Sequence, residues 1–135
     1  MTPIVYISGK YRHYNRDGSL DRDPMADEVE DEKRWAAVVA RAGCIPFAPL
    51  AATMMLEDQL TAEQFIANDL EIIRRLRPGY DCILMRRGWG TSVGANMELV
   101  EAEQRKLRVM FAENGEQHVL NRLRDLAQQK ATVTP

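Results

Sequence analysis

Two acids in this chain stand where acids can do chemistry, Glu98 and Asp69. Glu98 closes a run at 86–98, RRGWGTSVGANME, in which three glycines (Gly88, Gly90, Gly94) and three small polar residues (Thr91, Ser92, Asn96) precede it. The run follows an apolar stretch, YDCILM, that reads as a strand. A glycine-rich turn lets the backbone approach a ligand closely. The helix that follows offers free N–H groups and the positive end of its dipole, which suit an anion. Ser92 adds a hydroxyl, and Gly94 follows it in the first turn. The plainer alternative, a glycine turn with an ordinary serine cap, stays open at this point. No Gly-Lys-Ser/Thr follows the glycines, and the dinucleotide-binding spacing is absent.

Glu98 lies six residues after Ser92. A solvated helix carboxylate is the ordinary reading of such a residue. Two turns into a helix that starts at a sheet edge, however, a side chain points back over that edge. Asp69 shares a helical face with Phe65, Ile66, Ile72 and Ile73. A carboxylate near a buried face is costly without a partner or a function. Two carboxylates at one pocket suit glycosyl chemistry, with one as nucleophile and one handling the proton.

A second cluster follows the first strand, in YISGKYR. Gly9 permits a tight exit from the strand, and Ser8, Lys10, Tyr11 and Arg12 supply hydrogen-bond donors. Trp89, between two glycines, either packs its own loop or offers a stacking surface to a planar ligand. Met54, Met55 and Leu56 are expected in core packing, with the lining of an apolar pocket as the alternative. Asp81 opens the third strand at the far end from this chemistry and is read as structural.

These residues need elements to position them. Apolar, β-branched runs predict strands at 4–8, 44–49, 80–86 and 107–112. Helical periodicity predicts helices at 26–42, at 61–76 behind a Thr61/Gln64 capping box, at 92–105 capped by Ser92, and at 114–129. Residues 50–60 read as an irregular or short helical connection. Residues 9–25 read as a long loop, and 131–135 as a frayed tail after one domain at 1–130. Strand and helix alternate throughout, which argues for an α/β, doubly wound parallel sheet of four to five strands with helices on both faces. Ligands of such folds bind outside the carboxyl ends of the strands, where the strand order reverses. The loops at 9 onward, 48 onward and 87–92 all fall there.

The composition excludes several classes. The 135 residues are 45% hydrophobic and 28% charged, with a net charge of −2. That is an ordinary globular balance, with no basic block for a nucleic-acid polymer and no membrane-length apolar run. The N-terminal segment is too short and uncharged for a signal peptide, so a cytoplasmic protein is expected. Cys44 and Cys82 lie in apolar runs and read as buried free thiols, and with His13 and His118 they form no zinc-type spacing. No metal or cofactor is indicated.

Taken together, the motifs resemble the nucleoside 2-deoxyribosyltransferase superfamily, including its nucleoside 5′-monophosphate N-glycosidase branch. The likeness spans residues 4–112. VYISG resembles the family's first strand and glycine turn, FIANDLEII the helix that carries its assisting Asp, and YDCILM the strand before the site. SVGANMELVEA resembles its pattern of Ser or Asp, then Gly, Glu and Ala. The resemblance implies that Glu98 is the nucleophile, that Asp69 helps protonate the departing base or orients the sugar, and that Tyr6 positions Glu98. It implies a small-molecule nucleotide or nucleoside partner, no cofactor, and a homo-oligomer. Transferases of the family tend to carry Asp where this chain has Ser92, and the monophosphate glycosidases tend to carry Ser. The physics agrees, because an Asp repels a phosphate dianion that a serine hydroxyl at a helix N-terminus attracts. The first loop departs from the glycosidase's Gly-Ser-Ile-Arg-Gly-Gly. It is longer and bulkier, and keeps the arginine as Arg12 without the flanking glycines.

Overall fold

A computed structural model describes residues 2–133. Four strands, β1 (Ile4–Ser8), β2 (Ile45–Phe47), β3 (Cys82–Met85) and β4 (Arg108–Phe111), form one sheet in the order β2-β1-β3-β4. Every pairing is parallel. Five α-helices accompany them: α1 (Arg22–Arg41), α2 (Pro49–Thr53), α3 (Ala62–Arg74), α4 (Val93–Gln104) and α5 (Glu116–Val133). This is the doubly wound α/β architecture that the alternation predicts.

Side chains on a strand alternate between faces, and the two cores follow that period. Val5 and Ile7 of β1 join Cys82, Leu84 and Met110 under α1 and α5. Tyr6 of β1 joins Ile83 and Met85 on the other face, under α3 and α4. The chain goes from β1 to β2 on one side and then to β3 on the other. The order therefore reverses between β1 and β3, which opens a crevice at their carboxyl ends. Ser8 and Arg86, the last residues before the two loops, flank that crevice and extend the ladder, with Arg86 N–H donating to Ser8 O at 2.8 Å.

Local signals act largely as read. Thr61 and Gln64 form both halves of the capping box, and Ser92 Oγ accepts from Ala95 N–H. Gly43, at φ +90°, ends the turn after α1 in a conformation that suits glycine. Asp81 is structural: it accepts from Ile4 N–H at 2.8 Å and from Arg77 at the amino edge of the sheet.

Four boundaries or environments differ from expectation. α1 starts at Arg22 rather than at Ala26, because Pro24 falls in its first turn, where a missing N–H costs nothing. β2 is shorter than residues 44–49 and gives way to α2, with Pro49 at its first position. Met54, Met55 and Leu56 are not core residues. They form an exposed 3-10 turn, and Met55 is 89% exposed. α5 continues through Val133, so the expected tail at 131–135 is helical over its first three residues. Residues 134 and 135 lie outside the described residues. Among those described, no helix is long and apolar enough to cross a membrane.

Candidate functional site

α4 begins at the carboxyl edge of the sheet and runs back across it. Ala95, Glu98 and Ala102 share its buried side. The two alanines let the helix lie close to the strands, and Glu98 takes the position between them. Its side chain meets Tyr6 and Ser8, which the alternation of β1 puts on this same face. Tyr6 Oη donates to Glu98 Oε2, and Ser8 Oγ donates to Oε1 at 2.8 Å. Glu98 is 7% exposed, and Tyr6 and Ser8 are fully buried. A buried carboxylate held by two hydroxyl donors, with no ion pair among the described residues, is an oriented acceptor.

Above Glu98 lies a cavity of about 420 Å³. α4 contributes Ser92, Gly94 and Glu98 to it, and α3 contributes Phe65, Ile66 and Asp69. The first loop contributes Gly9, Lys10, Tyr11 and Arg12, and the segment after β2 adds Leu50, Met54 and Glu57. Lys10 Nζ donates to Thr91 Oγ1 at 3.1 Å, which joins the first loop to the glycine loop beside Ser92. On the opposite rim Tyr11 Oη donates to Glu57 Oε2 at 2.8 Å, and Arg22 pairs with the same carboxylate. A Cβ at Gly94 would sit 3.6 Å from Ile66, an ordinary contact, so helix packing alone does not require glycine there.

The proton affinities at this floor are coupled. Burial, opposed by the Tyr6 hydroxyl, pushes Glu98 up to about 7, and the Asp69 charge adds to the rise. Burial and the Glu32 charge push Asp69 up to about 6, and Tyr6 partly offsets them. Burial and the neighbouring Glu98 and Asp69 charges hold the Tyr6 phenol well above its ordinary range, so it stays a donor.

Of the expected residues, Glu98, Asp69, Gly9, Lys10, Arg12, Ser92 and Gly94 line one cavity, and Tyr6 and Ser8 hold Glu98 from below. Trp89 is the correction. It does not line the cavity but, half-buried, tilts against Phe111 with ring centroids 5.7 Å apart, packed on the core under α3 and α4. Gly88, at φ +86°, turns the chain just before it. Asn96 fastens that loop, donating to the carbonyls of Trp89, Gly90 and Ser92.

Two further residues belong to the site, Glu32 and Arg86. Glu32 is fully buried on α1 and accepts from Leu50 and Ala51 N–H at 3.0 and 2.9 Å, which seats α2 at the cavity wall. Arg86 is fully buried behind Gly9. Each has a sequence signal. Glu32 stands on the apolar stripe of Val29, Trp35 and Val39, as Asp69 does on its own helix. Arg86 directly ends an apolar strand. Among the described residues no group of three or more His, Cys, Asp or Glu is placed to hold a metal ion. No protein-family model matches the chain, and no curated protein matches it.

Proposed function

We propose that this chain cleaves the N-glycosidic bond of a (2′-deoxy)nucleoside 5′-monophosphate by double displacement through Glu98. One observation carries the reading: a buried carboxylate, aimed by two hydroxyls, lies under a cavity that also holds a second raised carboxyl and a serine-capped helix N-terminus. The resemblance of the FIANDLEII and SVGANMELVEA motifs to the nucleoside 2-deoxyribosyltransferase superfamily supports the same reading.

In this mechanism the 5′-phosphate sits at the N-terminus of α4, with the Ser92 hydroxyl and Lys10 and Arg12 in reach. Six residues at about 1.5 Å rise put Glu98 roughly 9 Å further along the helix, which leaves space for the sugar between anion and nucleophile. An oxygen of the ionised Glu98 attacks the anomeric carbon as the bond to the base nitrogen breaks. The base leaves with that electron pair and takes a proton from Asp69, whose raised proton affinity keeps it usable as an acid near neutrality. Water then attacks the glycosyl ester and gives up a proton to the Asp69 carboxylate. Free sugar phosphate leaves and Glu98 is regenerated. Tyr6 and Ser8 hold the attacking carboxylate in line, which is where much of the rate of such a step arises. The apolar wall of Leu50, Met54, Phe65 and Ile66 accommodates the base.

The same reading includes a homo-oligomer. Val93, Met97 and Val100 lie on one side of α4 and are 75%, 42% and 53% exposed, an apolar stripe beside the cavity mouth suited to a second copy. Light scattering should give a mass above the 15.4 kDa of one chain. The activity test is incubation with a panel of nucleoside monophosphates, watching for free base by mass spectrometry. Exchange onto an added second base would turn the reading toward a 2-deoxyribosyltransferase. Tight nucleotide binding with no base release would leave a nucleotide-sensing module.

A further inference from the structure

Arg86 is the least expected side chain in the fold. It directly follows β3, it is 0% exposed, and its guanidinium works in three directions. Nη1 donates to Glu28 Oε1 at 2.9 Å and to Asp31 Oδ2 at 3.1 Å, both on α1. Nη2 donates to the backbone carbonyl of Lys10 at 2.9 Å. Nε is buried and meets no acceptor among the described residues. A buried charge with one donor left over is a poor device for stability, since apolar replacements of buried ion pairs are often neutral or better. Its placement explains it better. A Cβ at Gly9 would lie 2.6 Å from the guanidinium, so the loop backbone crosses directly against this side chain. Gly9 does not have a positive φ, so closeness to Arg86, not backbone strain, is what asks for glycine.

We infer that Arg86 is the positioning residue of the anion-binding loop: clamped to α1 by Glu28 and Asp31, it holds the Lys10 carbonyl and so sets where Lys10 and Arg12 stand at the mouth of the cavity. It touches no substrate and acts through the backbone of Gly9 and Lys10. Lys10, so placed, reaches Thr91 beside Ser92, and the two loops at the carboxyl edge meet across the anion position. His13, further along the first loop, contacts the same Glu28 at 2.7 Å, which ties a second point of the loop to the clamp. The inference rests on the proposed nucleotide site and deepens it: the residue that selects for the phosphate end of the substrate is one the phosphate never meets.

The test compares Arg86→Met, Arg86→Lys and Gly9→Ala with the parent. Glu28 and Asp31 keep 16% and 30% side-chain exposure, so water can reach both acids once the arginine is gone. Gly9→Ala pushes the loop from the other side with every charge intact, and so covers a failure of Arg86→Met to fold. In both, KM for a nucleoside monophosphate is expected to rise about tenfold, the worth of one charge-assisted phosphate contact, with kcat changed far less. Lysine cannot reproduce the fork and should recover only part of the loss. Asp81→Ala, destabilising and far from the cavity, serves as the control whose KM stays put. Unchanged KM in both Arg86→Met and Gly9→Ala, or a fall in kcat alone, overturns the inference. Calorimetric titration with inorganic phosphate separates the two readings. A parent that binds phosphate but releases no base removes the glycosidase reading, and the comparison then runs on the phosphate Kd. A parent that binds neither phosphate nor nucleotide overturns the anion site and Arg86's role with it.

Discussion

Ser8 and Glu98, 90 residues apart in sequence, meet through a 2.8 Å hydrogen bond across the junction of β1 and α4. Tyr6, two residues earlier on the same strand face, donates to the other carboxylate oxygen. With both oxygens engaged, the carboxylate has little rotational freedom left. That is the state a nucleophile needs, and it leads to the first expectation. Glu98→Gln keeps the shape and one acceptor but removes the nucleophile, so base release should fall by several orders of magnitude. Single-turnover assays decide this, and release at the parent's rate would remove Glu98 from the mechanism.

Removing the Tyr6 hydroxyl acts on proton affinity. The phenol's hydrogen bond favours ionised Glu98 and opposes the rise caused by burial. Tyr6→Phe therefore raises Glu98 further, and its deficit against the parent should narrow as pH rises through the Glu98 value. Near pH 7 the rate should drop about 10- to 100-fold, and part of it should return in alkaline buffer. A drop that is the same at every pH would assign Tyr6 to packing only.

The same burial sets a stability trend. Glu98 and Asp69 bind protons more tightly folded than unfolded, at about 7 and about 6 against ordinary values of 4.5 and 3.8. The folded state thus holds more protons between those limits. The stability this gives is fully present below about pH 4, and is lost as pH rises through 6 and 7. Glu98→Gln and Asp69→Asn escape the loss. Their melting temperatures relative to the parent should be higher at pH 8 than at pH 4.5, by a few degrees. Thermal melts at the two pH values measure it, and a difference of opposite sign would contradict the burial argument.

Asp81 behaves in the opposite way. Burial raises its proton affinity, but the Arg77 pair and the Ile4 and Arg77 N–H donors outweigh it and bring it below the ordinary range. Its stabilisation is present above about pH 4 and lost as pH falls through the lowered value. Asp81→Ala should cost about 2–3 kcal/mol at neutral pH by leaving buried donors unmet, while kcat stays at the parent value. Denaturant melts and initial rates in parallel separate stability from function here.

How much of this was legible follows from which residues carry a period. Val5 and Ile7, the stripe of Val29, Trp35 and Val39, and the boxed start of α3 announce their elements because alternation and helical spacing are local. Glu98 and Asp69 were legible as acids on buried faces, and Glu32 is the same signal on α1. Trp89 was not legible, since the direction of a side chain in a glycine loop depends on Phe111, more than twenty residues away. Met54 to Leu56 misled because apolar character does not imply burial: Met54 lines the cavity, while Met55 and Leu56 stand exposed. Arg86 could not be placed without knowing that Gly9 lies against it, a contact made only when β1 and β3 pair.

On the proposed reading, Ser92 carries the choice of substrate. Its Oγ accepts from Ala95 N–H, and its hydroxyl hydrogen remains free to donate into the cavity at the start of α4. Aspartate can take the same cap, since both are strong N-cap residues, so Ser92→Asp should fold and melt like the parent. What changes is the charge beside the anion position. A carboxylate there repels a phosphate dianion and offers an acceptor to a 5′-hydroxyl instead. KM for nucleoside monophosphates should rise at least tenfold, while the corresponding nucleosides lose nothing or improve. Raising ionic strength should shrink the penalty on the monophosphate, because part of it is screened charge repulsion at an open mouth. Steady-state rates for one nucleotide and its nucleoside, on parent and variant at two salt concentrations, measure all of these together. If Ser92→Asp weakened both substrates equally, the phosphate would have to sit elsewhere, and Lys10 and Arg12 would be the next place to look.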